Sequence, residues 1–375
     1  MIPTTKAKSF IQALTCALAL SAASPLAHAQ LGADLPPSTT EAISISPSQR
    51  TQISKFVEAW TSKALSDNPQ DIKNALESLT EPLQARAVSV AFRQSYAQAI
   101  TPLLNELQAK DSIASTLASL RIAANLATPN TTARVKAALN HADQGIQLFA
   151  VSRAGQIFKT TNAHGPAMAP NDAVALIKAL ETLASDPQIQ DELLRTTVRA
   201  LIAATQLRSK DMGDTRSDAI IALANIIGAH LRALNTNDDP AFTQSIALDA
   251  ASAITASIAD ISSQTTPDAV KSSVGLGGDI ISVALRRVLA NTINPVSNRD
   301  LTVRSVQAGE TLLYFALRKD AETTHRFTGS VKQTNFADLL RAGDDKAFRN
   351  QASLLLAPGS PIVKDFGFQT ERFFR

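Results

Sequence analysis

Beyond the first thirty residues lie four histidines, His141, His164, His230 and His325. No two stand three or four positions apart, so none pair on one helical turn as a local metal site needs. H-E-x-x-H, G-x-S-x-G and S-x-x-K are all missing from the chain. His230, inside "IIGAHLRAL", reads as a satisfied helix residue. "GLGGD" at 275–279 has glycines suited to a phosphate loop, but Ile280 stands where the third glycine belongs and no strand precedes it. It reads as a break between two short helices. Asp211, Asp214 and Asp218 offer oxygens to a calcium ion at a spacing unlike a calcium loop, and Asp214 reads as a helix cap. The expectation is a protein with no catalytic residue, no cofactor and no metal, although distant carboxylates brought together by folding leave no such local trace.

The elements around these residues begin with a leader. Lys6 and Lys8 precede the uncharged run "FIQALTCALALSAA", and "AHA" at 27–29 places small residues at the −3 and −1 positions of a cleavage site. Residues 1–29 therefore read as a secretory signal peptide, and the protein as exported, periplasmic or secreted. Cys16, the only cysteine, lies mid-run after "ALT", which argues against a lipoprotein and leaves the mature chain without thiols. The 36 lysines and arginines fall to 34 when Lys6 and Lys8 leave, against 33 acids, a formal +1. That balance argues against a nucleic-acid partner, which needs a concentrated basic face. Arg286-Arg287, an adjacent basic pair, reads as a solvated helix face. No mature run reaches the ~18 apolar residues of a membrane span; "AIIALANIIGAHL" at 219–231 reads as a buried helix.

Residues 30–45, polar and proline-bearing, read as a flexible tether. From Ser46 a cap residue followed by proline recurs: Ser46-Pro47, Asn68-Pro69, Thr101-Pro102, Thr128-Pro129, Asp186-Pro187, Asp239-Pro240, Thr266-Pro267 and Asn294-Pro295. A cap oxygen accepts an orphan N–H of the first turn, and proline at the first helical position has no N–H to waste, so each pair predicts a helix start. Helical stripes follow. Ile53, Phe56, Val57 and Trp60 make one, Val174, Ile177, Leu180 and Leu183 another, and Ile246, Ala250, Ile254, Ile258 and Ile261 a third. Alanine between them favours helix and close helix packing. Residues 46–295 are thus expected to be all-α, as an irregular α-solenoid or a helical bundle of antiparallel helices.

Two places break this texture. In "GIQLFAVSRAGQIFKTTNAHGPAMAP" at 145–170, Ile146–Val151 and Gln156–Thr160 read either as a short hairpin or as a helix end with a long loop. The segment 296–375 holds eight of the fourteen phenylalanines and reads as a small mixed segment, with "VRSVQAGETLLYFALR" at 303–318 as strand, turn and helix.

Two resemblances follow. "LETLASDPQ" and "VRALIAATQL" resemble a HEAT or armadillo-type repeat, with Asp186 and Pro187 in the turn after a first helix and Val198 and Arg199 in the second. This implies stacked helices that bind or scaffold. The second is to the glycan-binding LysM module, carried by Val306, Gly309, Glu310, Thr311, Leu312 and Phe315-Ala316, with "FADLLRAGD" and "LAPGSPIV" similar to its second helix and last strand. It implies a glycan-binding turn at Gly309, Glu310 and Thr311. The leading expectation is an exported, non-enzymatic scaffold or binding protein of the cell envelope, its partner an unnamed protein or other envelope component. The alternatives are a peptidoglycan-binding protein using the LysM-like region, with the helices as spacer, and an enzyme sited on the face of the array. If 296–375 is not a module, its phenylalanines are expected to cap the array's last apolar face.

Overall fold

The computed structural model describes residues 34–110, 112–208, 210–260, 264–293 and 296–374. The expected signal peptide, the start of the expected tether, Ile261 and the pair Asn294-Pro295 lie outside the described residues. The protein is all-α, with 74 % of the described residues in helices and no strand among them. It divides into two compact units, the first ending at Asp111 and the second beginning at Ser112.

The first unit holds α1 (Pro37–Thr40), α2 (Pro47–Ala64), α3 (Pro69–Thr80) and α4 (Val90–Ala109). Ser46 opens α2 with a reciprocal cap: its Oγ accepts the Gln49 N–H, and Gln49 Oε1 accepts the Ser46 N–H at 2.9 Å. Asn68 Oδ1 accepts the Gln70 N–H at 3.0 Å to open α3. The stripe Ile53, Phe56 and Val57 is buried and meets Tyr96, whose hydroxyl donates to Leu79 O at 2.9 Å. Two expectations fail here. The stretch expected as a tether is fastened from Ser38 on: Gln49 Nε2 donates to Ser38 O, Thr39 Oγ1 to Gln52 Oε1, and the Ser89 N–H to Thr40 O. Thr101-Pro102 does not start a helix but lies inside α4. Thr101 Oγ1 bonds back to Ala97 O at 2.6 Å, and Leu103, Leu104 and Leu107 continue the buried face beyond the proline.

The second unit holds α5 (Ile113–Leu126), α6 (Pro129–Ala138), α7 (Gln144–His164), α8 (Pro170–Ala184), α9 (Asp191–Thr205), α10 (Thr215–Ala233), α11 (Ala241–Ala259), α12 (Pro267–Leu289), α13 (Val296–Thr323), α14 (Phe336–Ala342), α15 (Asp345–Leu356) and α16 (Pro361–Asp365). Helices alternate between two layers. α5, α7, α9, α11 and α13 pack in succession to form one layer; α6, α8, α10 and α12, followed by α15, form the other. Each helix also packs on its sequence neighbours. α10, apolar on almost every side, lies against α8, α9, α11 and α12, as its composition requires. One continuous apolar core runs between the layers from Leu120 to Phe373.

Several sequence expectations are corrected in this unit. Residues 144–164 form neither a hairpin nor a helix end with a long loop but one helix, α7. Asp143 Oδ1 caps it through the Ile146 N–H at 2.9 Å, and Ile146, Ala150, Val151, Ala154, Ile157 and Phe158 are its buried face. Asp186-Pro187 does not start α9, which begins at Asp191; Asp186 Oδ1 accepts the Gln188 N–H in the preceding turn. At 239–240 the helix begins one residue late, at Ala241, whose N–H Asp239 Oδ1 accepts at 3.0 Å. "GLGGD" breaks no helix. It lies inside α12, where its glycines are buried and let neighbouring groups come close. Arg286-Arg287 is not a solvated face. Arg286 donates to Leu231 O and Leu234 O, and buried Arg287 to Asp238 O and Thr292 O, satisfying carbonyls left open where α10 ends and in the turns nearby.

The expected mixed C-terminal segment is also overturned. Residues 296–323 are one helix, so the strand and turn of a LysM-like opening are absent. "LAPGSPIV" is the end of α15, a short connection and the start of α16, not a strand. The reason is the surface that α13 covers: Gly309 faces Gly277 and Ile280 of α12, Leu313 lies against Gly277, and Val306, Leu312 and Ala316 of the same helix are buried.

Candidate functional site

The expected glycan turn is helix, not turn. Gly309, Glu310 and Thr311 are consecutive residues of α13 that point in different directions. Glu310 is buried, and its carboxylate accepts the Phe336 N–H at 2.5 Å, the Ala337 N–H at 3.0 Å and the Thr334 hydroxyl at 2.6 Å, which makes it the cap of α14. Thr311 Oγ1 donates to Gln307 O one turn back on its own helix. The histidines are dispersed. His230 Nε2 lies 3.1 Å from Ala184 O between α10 and α8, and His141 Nδ1 accepts the Asp143 N–H in the turn before α7. Asp214 occupies the position before α10 but caps with no side-chain bond. Among the described residues no three of His, Cys, Asp and Glu gather where they could hold a metal.

Two recesses among the described residues are rich in cations. The larger, about 470 Å3, runs along the seam of α7 and α9. Gly155 makes this seam narrow, since a Cβ there would lie 3.2 Å from Ala200 Cα. The walls carry Arg153 and Lys159 from α7 and Arg199 from α9, with Ser152, Gln156 and Thr196 between them. No carboxylate lines it, and none of the three cations is ion-paired among the described residues. Arg153 is half-buried, its guanidinium 4.7 Å from the centroid of Phe149 and its buried Nε without a hydrogen-bond partner. Burial, and then the charge of Arg121 nearby, push this guanidinium below its ordinary value. The group is held in a place that disfavours its charge, and an anion would relieve this.

The smaller recess, about 350 Å3, is lined by Arg232, Lys271, Gly367, Phe368, Gln369 and Arg372. Its floor differs, because Asp279 of α12 lies wholly buried beneath it and accepts from Arg232 and Arg372. Phe373 inserts against Gly278, and Ser282 Oγ donates to Phe373 O at 2.6 Å. This is the dock of the C-terminal tail, and its cations are largely spent on Asp279.

The α7–α9 groove escapes the sequence reading because residues 145–170 read there as a short hairpin or a helix end with a long loop, and Arg199 only as a repeat marker. The available signal was helical. Phe149, Arg153, Gln156 and Lys159 recur at steps of three and four, three polar residues following one aromatic on a helix whose other face is apolar. Compared with models of protein families, with curated proteins and with solved structures, the chain matches none of them.

Proposed function

We propose that this chain is an exported, non-enzymatic binding or scaffold protein of the cell envelope, built on the logic of a HEAT-like helical array. The observation that carries the binding reading is the α7–α9 groove, where three cations, none of them ion-paired among the described residues, line a recess on a layer of packed helices. Sites held on helices keep their geometry, and uncompensated charge attracts a partner instead of holding the fold. The alternation of helices between two layers supports the array, since stacking of this kind buries a continuous core and leaves long faces free. Asp186-Pro187 in the turn between α8 and α9, with Val198-Arg199 inside α9, supports the HEAT-like reading. The leader-like pattern of residues 1–29 supports export.

The test is a photo-crosslinking amino acid at Ser152 or Thr196, on the groove, and at Lys178, on α8 of the other layer, in cells making the full chain. Discrete crosslinked species from the groove positions alone, in the envelope fraction and on a chain that begins near Gln30, are expected. Equal labelling from Lys178, or a chain that keeps Met1 in the cytosol, would overturn the reading.

A further inference from the structure

We infer that the α7–α9 groove is a binding site for a small multivalent oxyanion, such as a phosphate-bearing molecule or a polycarboxylate, held by Arg153, Lys159 and Arg199. The inference rests on the binding-protein reading only in using the same groove.

Size sets the first bound. About 470 Å3 falls within the roughly 300–1,000 Å3 of ordinary ligand pockets and exceeds what one inorganic phosphate fills. Charge sets the second. Three cations with no lining carboxylate leave a local excess that a monovalent anion cannot match. A carboxylate wall would have turned the same arginines into structural ion pairs, as Asp279 does to Arg232 and Arg372 in the tail dock. That comparison, inside one molecule, separates a cation used by the fold from one left for a ligand.

Donor geometry sets the third bound. The Arg153 guanidinium lies over the Phe149 ring and its Nη2 donates to Ser152 Oγ at 3.3 Å, two contacts that hold it at the groove. A planar fork held in this way suits an oxyanion with two oxygens side by side. Lys159 and Arg199, both exposed at the rim, supply mobile charge. The Ser152 hydroxyl and one N–H of the Gln156 amide add neutral donors from the walls.

The experiment is calorimetric titration of the purified full chain with inorganic pyrophosphate and, separately, with citrate. Saturable binding that weakens as salt rises is expected for at least one of them. Arg199→Ala and Lys159→Ala should each weaken it about tenfold, the loss of one charge-assisted hydrogen bond. Arg153→Lys keeps the charge without the fork and should weaken it similarly while circular dichroism stays unchanged. Arg349→Ala, an exposed cation of α15, should leave it untouched. Preference for pyrophosphate assigns a phosphate-bearing ligand, and preference for citrate or parity assigns a polycarboxylate-tolerant site; both carry the inference. No saturation with either anion, or an equal loss in Arg349→Ala, overturns it. Anion binding without any crosslinked partner would leave this inference standing and remove the scaffold reading, and the reverse result would do the opposite.

Discussion

Asp279 and Arg372 stand 93 positions apart in sequence, yet Arg372 Nη2 lies 2.7 Å from Asp279 Oδ2 inside the second unit. Arg232 Nη1 approaches the same oxygen at 2.5 Å. The carboxylate is wholly buried, whereas both arginines keep an edge in solvent. One buried acid in α12 thus ties the end of α10 to the C-terminal tail.

The first prediction concerns the charge of Asp279. Burial pushes its carboxyl above the ordinary range, and the guanidiniums of Arg372 and Arg232 offset this only in part. Asp279→Asn, which removes the buried charge and keeps an acceptor, should cost only about 1 kcal/mol. Asp279→Leu leaves the arginines with no partner and should cost about 3 kcal/mol. The folded carboxyl takes its proton at higher pH than the unfolded one, near 4. Between the two values the native state therefore holds the extra proton, and stability should fall as pH rises through that window. Urea midpoints from pH 4 to 7 would show this slope in the wild type and a flatter one in Asp279→Asn.

A second prediction follows from the space the tail occupies. A Cβ on Gly278 would sit 2.6 Å from Phe373 Cε1, and one on Gly275 2.6 Å from Arg372 Nη2. Gly278→Val should therefore expel the tail while α12 stays helical. Trypsin would then cleave after Arg372 at a much higher rate than in the wild type, with loss of residues 373–375 seen by mass spectrometry. Unchanged cleavage would mean that Phe373 does not depend on this notch.

The seam between α12 and α13 yields a third. A Cβ on Gly309 would lie 3.0 Å from Ile280 Cγ2, and one on Gly277 3.1 Å from Gly309 O. Gly309→Val should force the helices apart and destabilise by about 1–3 kcal/mol, as overpacking does. Chemical unfolding at unchanged m-value is the measurement. A neutral result would contradict the close contact of these two helices.

How much of this was readable beforehand depends on the range of the physics. Helical periodicity is local, so the buried stripes of α2, α8 and α11 and the starts of α2, α3, α6 and α12 stood in the sequence itself. Gly309 and the glycines of "GLGGD" misled because a glycine records only that something comes close or that the backbone turns. Which of these holds is decided by Ile280, Arg372 and Phe373, from other helices or from the tail. Arg286, Arg287 and Glu310 misled in the same way, their partners being backbone groups of other helices and turns. The groove cations Arg153 and Arg199 were visible as residues, but their meeting depended on reading 145–164 as helix.

The fourth prediction tests the role of Glu310. Its carboxylate serves two backbone N–H groups and one hydroxyl at the start of α14, so Glu310→Ala should leave those donors buried and cost about 2 kcal/mol. Thr311→Ala, beside it, loses only a bond to its own helix and should shift stability by less than about 0.5 kcal/mol. A ligand-binding turn would instead leave stability nearly intact in both variants. Thermal unfolding of the pair separates these outcomes.

The last prediction is of a gain. Pro102 lies in the interior of α4, exposed, with no N–H to offer the carbonyl of Gln98 one turn earlier. Proline in such a place costs a helix roughly 3 kcal/mol relative to alanine. The neighbouring Thr101 hydroxyl bonds to Ala97 O, which partly restores polar contacts on that turn. Both sides of the break are anchored by buried residues, Tyr96 and Ile100 before it and Leu103, Leu104 and Leu107 after it, so the helix persists through packing. Pro102→Ala should therefore restore the missing bond without disturbing any buried contact and stabilise the first unit by about 1 kcal/mol or more. The gain would appear as a raised midpoint in the unfolding of the full chain, with slower amide exchange across Gln98–Glu106. A lowered midpoint would show that Pro102 is needed for Leu103, Leu104 and Leu107 to reach their places.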